Sequence, residues 1–378
     1  MYTVKKINTI NDVSRDQWDA MAHNNIFMCY AWMKTCEETL YKCNGCRYVL
    51  VYKVDTLCGA TAWYIDKPVN ELDLDDILLG RLKRIVRPFG VSFLPAIFCG
   101  PGMGYGTHFL FKVDLPETEQ IQVAEFMLSA LEEIQREMKR GICFNNVMKK
   151  EKILIGLLEK RGYAKTITLP TAYLDIEWNT FDQYKKCIRD RDSSMKRNLN
   201  REINRIARVG IEISECADIA VCNERLMELL ALNFAKYNRF ELPFNKNYIL
   251  KMKDNFGDDC VAYIAKKKGE IVAVSLAVYH GSEGLTPYLG VDYSLSKGDF
   301  TYFNIGYYEP ITGAITRKAK RFYYGNGMYP VKMRRGCKVE DAYIFFKPYD
   351  AIQNKVIRSW FAFHFRWMSH KYRRINRV

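Results

Sequence analysis

The chain has 378 residues, of which 48% are hydrophobic and 26% charged, and its formal net charge is +14. That is the composition of an ordinary soluble globular protein, at a length that exceeds a typical single core and suits two domains. No run of about 18 apolar residues occurs, so no membrane-spanning helix is expected, and the start, MYTVKKINTINDVSRDQW, lacks an apolar secretory core.

The twelve cysteines are scattered and outline no disulfide framework. Cys43 and Cys46 form the single CxxC, a weak signal for zinc or redox chemistry beside the plainer reading of reduced intracellular thiols. The basic excess favours a polyanionic partner: nucleic acid, a phosphate-rich cofactor, or an anionic membrane surface.

In chain order, DQWDAMAHNN and YAWMKTCEETLY read as helices, and RYVLVYKVD with GATAWYID as a hairpin turning through Asp55 and Gly59. VSFLPAIFCGPGMGYGTHFLFKV follows as extended segments around four glycines. Residues 117–140 place Ile121, Ala124, Met127, Leu128, Leu131, Ile134 and Met138 on one helical stripe. GICFNNV, LLEKRGY and AKTITLPTAYLDIEW then read as strand, helix and strand, closing a first domain at residues 1–178.

The second domain, residues 179–378, opens with helices over 181–188 and 193–208. The strand IEISEC and helices around 224–236 and 247–255 follow. CVAYIAKK and EIVAVSLAVYH form a hairpin, LTPYLGVD a further strand, and residues 301–318 a long helix leading into KRFYYGNG. The tail, VKMRRGC then KVEDAYIFFKP, echoes that of the first half, with Arg161-Gly162 answering Arg335-Gly336, 174 positions on. A glycine there suits a left-handed helix C-cap, and basic residues in the last turn complement the helix dipole. Two such endings on a matching element order indicate a duplicated fold.

That order resembles the GNAT acyltransferase fold, and LLEKRGY is similar to the end of its last helix. Two such domains in tandem, with a basic helical insertion opening the second, resemble the Fem-type aminoacyl-tRNA-dependent peptidyltransferases and related peptidoglycan-biosynthesis-like acyltransferases. SSMKRNLNREINRIARVGIEI, FNIGYYEPITGAITRKAKRFYYGNG and YPVKMRRGC carry this resemblance, which covers most of the chain. The implied fold class is α/β (α+β): two tandem GNAT-like domains with mixed, mostly antiparallel sheets, the basic insertion, and a C-terminal basic helix. The coenzyme A loop of acetyltransferases, which cradles pyrophosphate at a helix N-terminus, is broken here. GVDYSLSKGDFTYFN retains Lys297 and Gly298 but not the second glycine. GPGMGYGTHF is glycine-rich, yet strand-like residues follow it, so it reads as a turn or a phosphate loop.

Three constellations bear on chemistry. On the helix from Ser193, Met195, Leu199, Ile203 and Ile206 form one face. Arg197, Arg201, Arg205 and Arg208 form a stripe on another, with Glu202 the single acid there. One helical turn between guanidinium groups, about 5–6 Å, is comparable with phosphate spacing along a nucleic-acid strand; a solvated face is the alternative. After Asp350 no acid occurs, and Lys355, Arg358, Arg366, Lys371, Arg373, Arg374 and Arg377 interleave with Trp360, Phe361, Phe363, Phe365, Trp367 and Tyr372. Such a helix binds RNA, lies in a lipid interface, or docks by its aromatics with a basic outer face.

No Ser-His-Asp or Cys-His constellation is evident, and His108, His280, His364 and His370 have no metal spacing. The resemblance therefore assigns the site: Tyr288 and Asp292 beside the acyl carbonyl, Tyr329 as an acid, and Lys332 near the ester, where a cation stabilises a tetrahedral oxyanion. Lys196, Arg197, Arg201, Arg205, Lys297 and Arg335 are the donor-binding candidates. The expected function is a cytoplasmic N-acyltransferase forming an amide bond in the second domain, with peripheral contact at the inner face of the membrane left open. Its expected donor is aminoacyl-tRNA, with no resident cofactor or metal. A coenzyme A thioester is the alternative donor, and a non-catalytic RNA- or membrane-surface-binding module the alternative class. The acceptor is an amine on a small molecule, lipid or cell-wall precursor.

Overall fold

The structure is a computed structural model and describes residues 1–41, 45–66, 74–237 and 241–375; Cys43 and Arg377 lie outside them. The chain forms two compact units, Met1–Pro170 with Glu340–Val378, and Thr171–Val339. The strands are β1 (Tyr2–Ile7), β2 (Arg47–Lys53), β3 (Thr56–Asp66), β4 (Ala96–Cys99), β5 (Leu110–Phe111), β6 (Gly141–Met148), β7 (Ala164–Ile167) and β8 (Thr171–Asp175). They continue as β9 (Ile211–Glu215), β10 (Cys260–Lys267), β11 (Glu270–His280), β12 (Glu283–Leu285), β13 (Leu289–Val291), β14 (Arg321–Gly325), β15 (Lys338–Glu340) and β16 (Ala342–Lys347).

The first unit's sheet runs β1-β2-β3-β4-β6-β16-β7, with β5 on β3. The expected hairpin is β2 with β3, and the expected long helix is Glu117–Met138. Its buried stripe, Val123, Ala124, Met127, Leu128, Leu131 and Ile134, packs on Val49, Val51, Ile97 and Phe144 of the sheet in one apolar cluster. Sealing that face is the main drive to form the helix, because burial near 25 cal/mol per Å² outweighs helix propensity. Ile121, expected on the stripe, is exposed.

The second unit's sheet runs β15-β8-β14-β12-β11-β10-β9, with β13 on β11. Its core gathers Val261, Tyr263, Ala273 and Phe322 from the sheet with Tyr184, Ile188, Met195 and Leu199 from two helices, Phe181–Arg191 and Ser193–Arg208. Those helices are the basic insertion. Asp192 caps the second, its side chain accepting from the Ser194 and Met195 amides.

The boundary differs from the expected 178/179. Both tails read as one strand are two. AKTITLPTAYLD breaks at Pro170, leaving β7 in the first unit while β8 pairs antiparallel with β14 of the second. KVEDAYIFFK breaks at Asp341, leaving β15 beside β8 while β16 lies between β6 and β7 of the first. Each unit thus holds one terminal strand from the other half of the sequence. The Arg-Gly echo persists: helices Lys152–Lys160 and Tyr329–Arg334 are each followed by an arginine and a left-handed glycine, Gly162 at φ +75° and Gly336 at φ +89°. Among the described residues no helix is long and apolar enough to cross a membrane.

Candidate active site

Each sheet contains a parallel strand pair, β4 with β6 in the first unit and β12 with β14 in the second. In the second unit the pairing runs from Glu283↔Arg321 to Leu285↔Tyr323 and then opens. The segment expected as one strand, LTPYLGVD, breaks there: the Thr286 amide still reaches the Tyr323 carbonyl, but Tyr288 and β13 follow β11 instead. β14 meanwhile ends at Gly325 and passes into a bend at Asn326 and Gly327. A cavity of about 790 Å³ occupies this opening.

Its walls are rich in aromatic side chains. Phe234 and Tyr237 come from helix Ile219–Tyr237, which packs closely because β13 carries Gly290; a Cβ there would sit 2.4 Å from the Leu229 carbonyl carbon. Phe300, Tyr302, Phe303 and Tyr307 come from the long-helix region. Expected as one α-helix over 301–318, that region is Thr301–Phe303, a π-helical stretch Asn304–Tyr308, and Glu309–Thr316. Pro310 has no N–H to give the Gly306 carbonyl, so regular α-helical bonding cannot run through this point. Four buried side-chain oxygens in the lining have no hydrogen-bond partner among the described residues: Asn233 Oδ1, Thr286 Oγ1, Thr301 Oγ1 and Asn326 Oδ1. All four can accept hydrogen bonds and the two threonine hydroxyls can also donate, so the cavity presents polar groups for a ligand to pair with.

The first unit closes the equivalent opening with its own chain. His108 is buried, with Nε2 2.8 Å from the Asn145 carbonyl and Nδ1 2.9 Å from Glu151, and the Gly106 amide donates to the Asn146 carbonyl. Burial alone would lower the His108 pKa, but the Glu151 carboxylate beside it holds it above its ordinary value. Burial would likewise raise Glu151, and His108 holds it below. The GPGMGYGTHF stretch is therefore a packed loop and not a phosphate cradle.

Of the expected catalytic residues, Tyr288 and Lys332 line the second unit's cavity, while Asp292 and Tyr329 do not. Tyr288 packs among Phe234, Phe244 and Tyr248, with ring centroids 5.3, 4.8 and 5.6 Å away. Tyr329 is buried at the start of its helix. Asp292 is a turn residue: its carboxylate accepts from the Ser294 amide at 3.0 Å and pairs with Arg225 at 3.1 Å. Burial would raise its pKa, but Ser294 and Arg225 hold it below the usual carboxylate range.

The Lys332 ammonium donates to three backbone carbonyls, Tyr324 at 2.7 Å, Gly325 at 3.0 Å and Asn326 at 2.9 Å. These bonds use all three N–H groups of a charged lysine. Burial pushes its pKa down to about 8. It fastens the turn that presents Tyr324 and Asn326 to the cavity, and donating to an oxyanion would require giving up one of these bonds.

Arg335, expected beside the donor, is instead a core residue. Its guanidinium lies 2.6 Å from Glu202 and 4.1 Å from the Phe303 ring centroid, and Tyr308 also donates to Glu202. The Asn304 side chain donates to the Glu202 carbonyl at 2.9 Å. The lone acid of the basic helix thus fixes that helix to the cavity's aromatic wall. Lys196, Arg197, Arg201 and Arg205 are exposed on the other side of the same helix, and Lys297 is exposed beside Ser296 and Gly298 of the lining.

Arg201 stacks over Phe300 at 5.2 Å, which joins the stripe to the cavity rim. Sequence reasoning missed Asn233, Phe234 and Lys236; the exposed Lys236 ammonium sits 3.3 Å from the centroid of the lining ring Tyr293. The glycine inside LTPYLGVD was the available signal, since a strand glycine often marks close approach of another backbone.

Two mixed sheets in tandem, one of them opening over an aromatic cavity, define a tandem GNAT-like architecture. It is shared at 10–12% identity, a level that speaks for fold alone, with three solved structures. The FemX crystal structure has a TM-score of 0.59, covering 90% of this chain and 96% of that one, at 12% identity. The C-terminal domain of a putative lysylphosphatidylglycerol synthetase from Agrobacterium fabrum scores 0.54 at 10% identity, covering 92% and 95%. A tandem GNAT protein from the clavulanic acid biosynthesis pathway scores 0.50 at 10% identity, covering 92% and 99%. The chain belongs to the FemAB-like family, described as peptidoglycan biosynthesis/recognition, whose profile matches residues 9–378. No curated protein matches it by sequence. Family and architecture together support an acyltransferase-type function.

Proposed function

We propose that this protein forms an amide bond in the cavity of its second unit, taking an aminoacyl group from aminoacyl-tRNA to an amine on a cell-wall precursor or lipid. One observation carries the reading: an interior rich in aromatic side chains, with unpartnered polar oxygens, lies under a basic rim. Arg201 and Lys236 stack on rim rings, Arg197 and Arg205 extend the stripe, and the four orphan oxygens line the interior. A polyanion ending in an aminoacyl ester matches that division. Phosphates meet the rim cations, while the amino and amide N–H groups of the reactants meet the oxygens.

In the reaction, the acceptor amine's lone pair attacks the ester carbonyl carbon. The C–N bond forms, the ester C–O bond breaks, and the proton lost from nitrogen ends on the departing ribose oxygen. No covalent enzyme intermediate is needed. Lys332 acts here as a positioning residue, through the turn it fastens. The test is tRNA binding against salt. Affinity should fall steeply with ionic strength, and replacing Arg197, Arg201 and Arg205 by Ala should reduce the slope by roughly one unit for each phosphate left without its cation. Activity with an acyl-coenzyme A thioester, insensitive to salt and absent with charged tRNA, would replace this donor with the thioester, bound at Lys297 and the backbone beside it.

A further inference from the structure

The first unit has an exposed surface whose residues do not line the second unit's cavity. Helix Ala351–Ile375 docks through Phe361, His364 and Met368, all buried at helical spacing. His364 bridges Thr166 Oγ1 at 2.8 Å and the Ile77 carbonyl at 3.2 Å, and Trp360 Nε1 donates to the Leu78 carbonyl at 3.2 Å. These bonds bring the end of helix Leu74–Leu79 against the C-terminal helix, and residues 80–91 continue from that junction as short helical turns. Both elements turn large apolar side chains to solvent. Ile85 and Phe89 are 63% and 83% exposed, and Phe363 and Trp367 59% and 57%. Arg81, Arg84, Arg358 and Arg366 are exposed among them. The sequence has no acidic residue from Ile77 to Val113 and none after Asp350.

We infer that this two-element surface docks peripherally on an anionic lipid bilayer. Ile85, Phe89, Phe363 and Trp367 enter the boundary between headgroups and acyl chains, and the four arginines meet lipid phosphates. Aromatic and aliphatic groups flanked by arginine are the composition that such an interface selects. An aliphatic side chain such as Ile85 does not stack on bases, which weighs against RNA. A second copy would set these arginines against arginines, and Asp75 and Asp76 nearby already pair with Arg87 and Lys83 of the same element, which weighs against self-association. The surface lies within the first unit and stands whether or not the second unit transfers an aminoacyl group.

The experiment is sedimentation of the full chain with vesicles of phosphatidylcholine alone and of phosphatidylcholine mixed with phosphatidylglycerol, at low and raised salt. Binding should require phosphatidylglycerol, weaken with salt, and shift tryptophan emission to the blue. The double variants Phe363→Ser/Trp367→Ser and Ile85→Ser/Phe89→Ser should each lower the partition coefficient at least about tenfold, since each removes two membrane-inserting side chains. Their melting temperatures should stay unchanged, because the replaced side chains lie outside the core. Equal binding to both vesicle types, or none, overturns the inference. So does loss in either double variant of binding to single-stranded RNA, or of a dimer seen by sedimentation velocity, with vesicle binding intact.

Discussion

Replacing Arg335 by methionine keeps an unbranched apolar stem against Phe303 and removes the guanidinium that faces Glu202 at 2.6 Å. Both partners are buried, so water does not readily take the cation's place. Stripping one partner from a buried ion pair costs about 3–5 kcal/mol, largely because the remaining charge is left uncompensated. The lower figure applies here, since Tyr308 still donates to Glu202. The loss should be local. Glu202 sits midway along helix Ser193–Arg208, so hydrogen exchange of peptides covering 193–208 should accelerate by roughly two orders of magnitude, at 1.4 kcal/mol per decade. Removing both charges, as Arg335→Met with Glu202→Leu, should recover most of the loss, giving a strongly non-additive cycle. If Arg335→Met and Glu202→Gln each cost under about 1 kcal/mol and leave exchange unchanged, the pair is solvated and the latch does not exist.

Three further outcomes follow from the cavity. Burial holds the Lys332 pKa near 8 against an ordinary 10.5, so between those values the unfolded chain keeps a proton that the folded chain has released; stability from this group rises with pH across that window. Lys332→Met should abolish the rise, read as the difference in urea midpoint between variant and parent at about pH 8 and pH 10; parallel profiles would mean that the ammonium is not buried as described. In turnover assays the same variant should raise KM with a modest fall in kcat, whereas a kcat loss of about 10²–10³ would restore a direct oxyanion role. Thr286→Val replaces a buried hydroxyl that has no partner with a methyl of similar shape, so stability should hold or rise by up to about 1 kcal/mol while KM rises. A fall in melting temperature with KM unchanged would refute a ligand role for that oxygen.

The features legible in the sequence are local ones. The β10–β11 hairpin, the 117–138 helix and the two Arg-Gly endings follow from periodicity and capping over a few residues, and the structure contains each. What was not legible depends on pairing across long separations. Glu202 and Arg335 are 133 positions apart, and Asp292 and Arg225 are 67 apart. An arginine after a short helix therefore read as a donor contact, and an aspartate after a strand as a catalyst. The strand exchange escaped for the same reason. β7 and β8 have compatible patterns on either side of Pro170, and nothing in either states which sheet it joins. The break in LTPYLGVD was visible only as Gly290, whose meaning depends on a helix backbone more than fifty residues earlier in the sequence.

The contrast between the two units is an argument about where function resides. Both have a parallel pair at the centre of a mixed sheet. In the first, the opening beside it is filled by a histidine whose two ring nitrogens are both partnered and whose carboxylate neighbour also accepts from the His108 and Met148 amides. Both ring nitrogens and both carboxylate oxygens of that pair are thus partnered within the protein. In the second, the opening is held apart by the helix that Gly290 admits and by an interrupted helix at Pro310, and its lining has four buried oxygens without partners among the described residues. Each such oxygen costs about 1–3 kcal/mol of desolvation that the protein alone does not recover. The first unit fills this opening with its own side chains, whereas the second keeps a cavity whose lining holds these oxygens, which favours the second as the ligand-binding one.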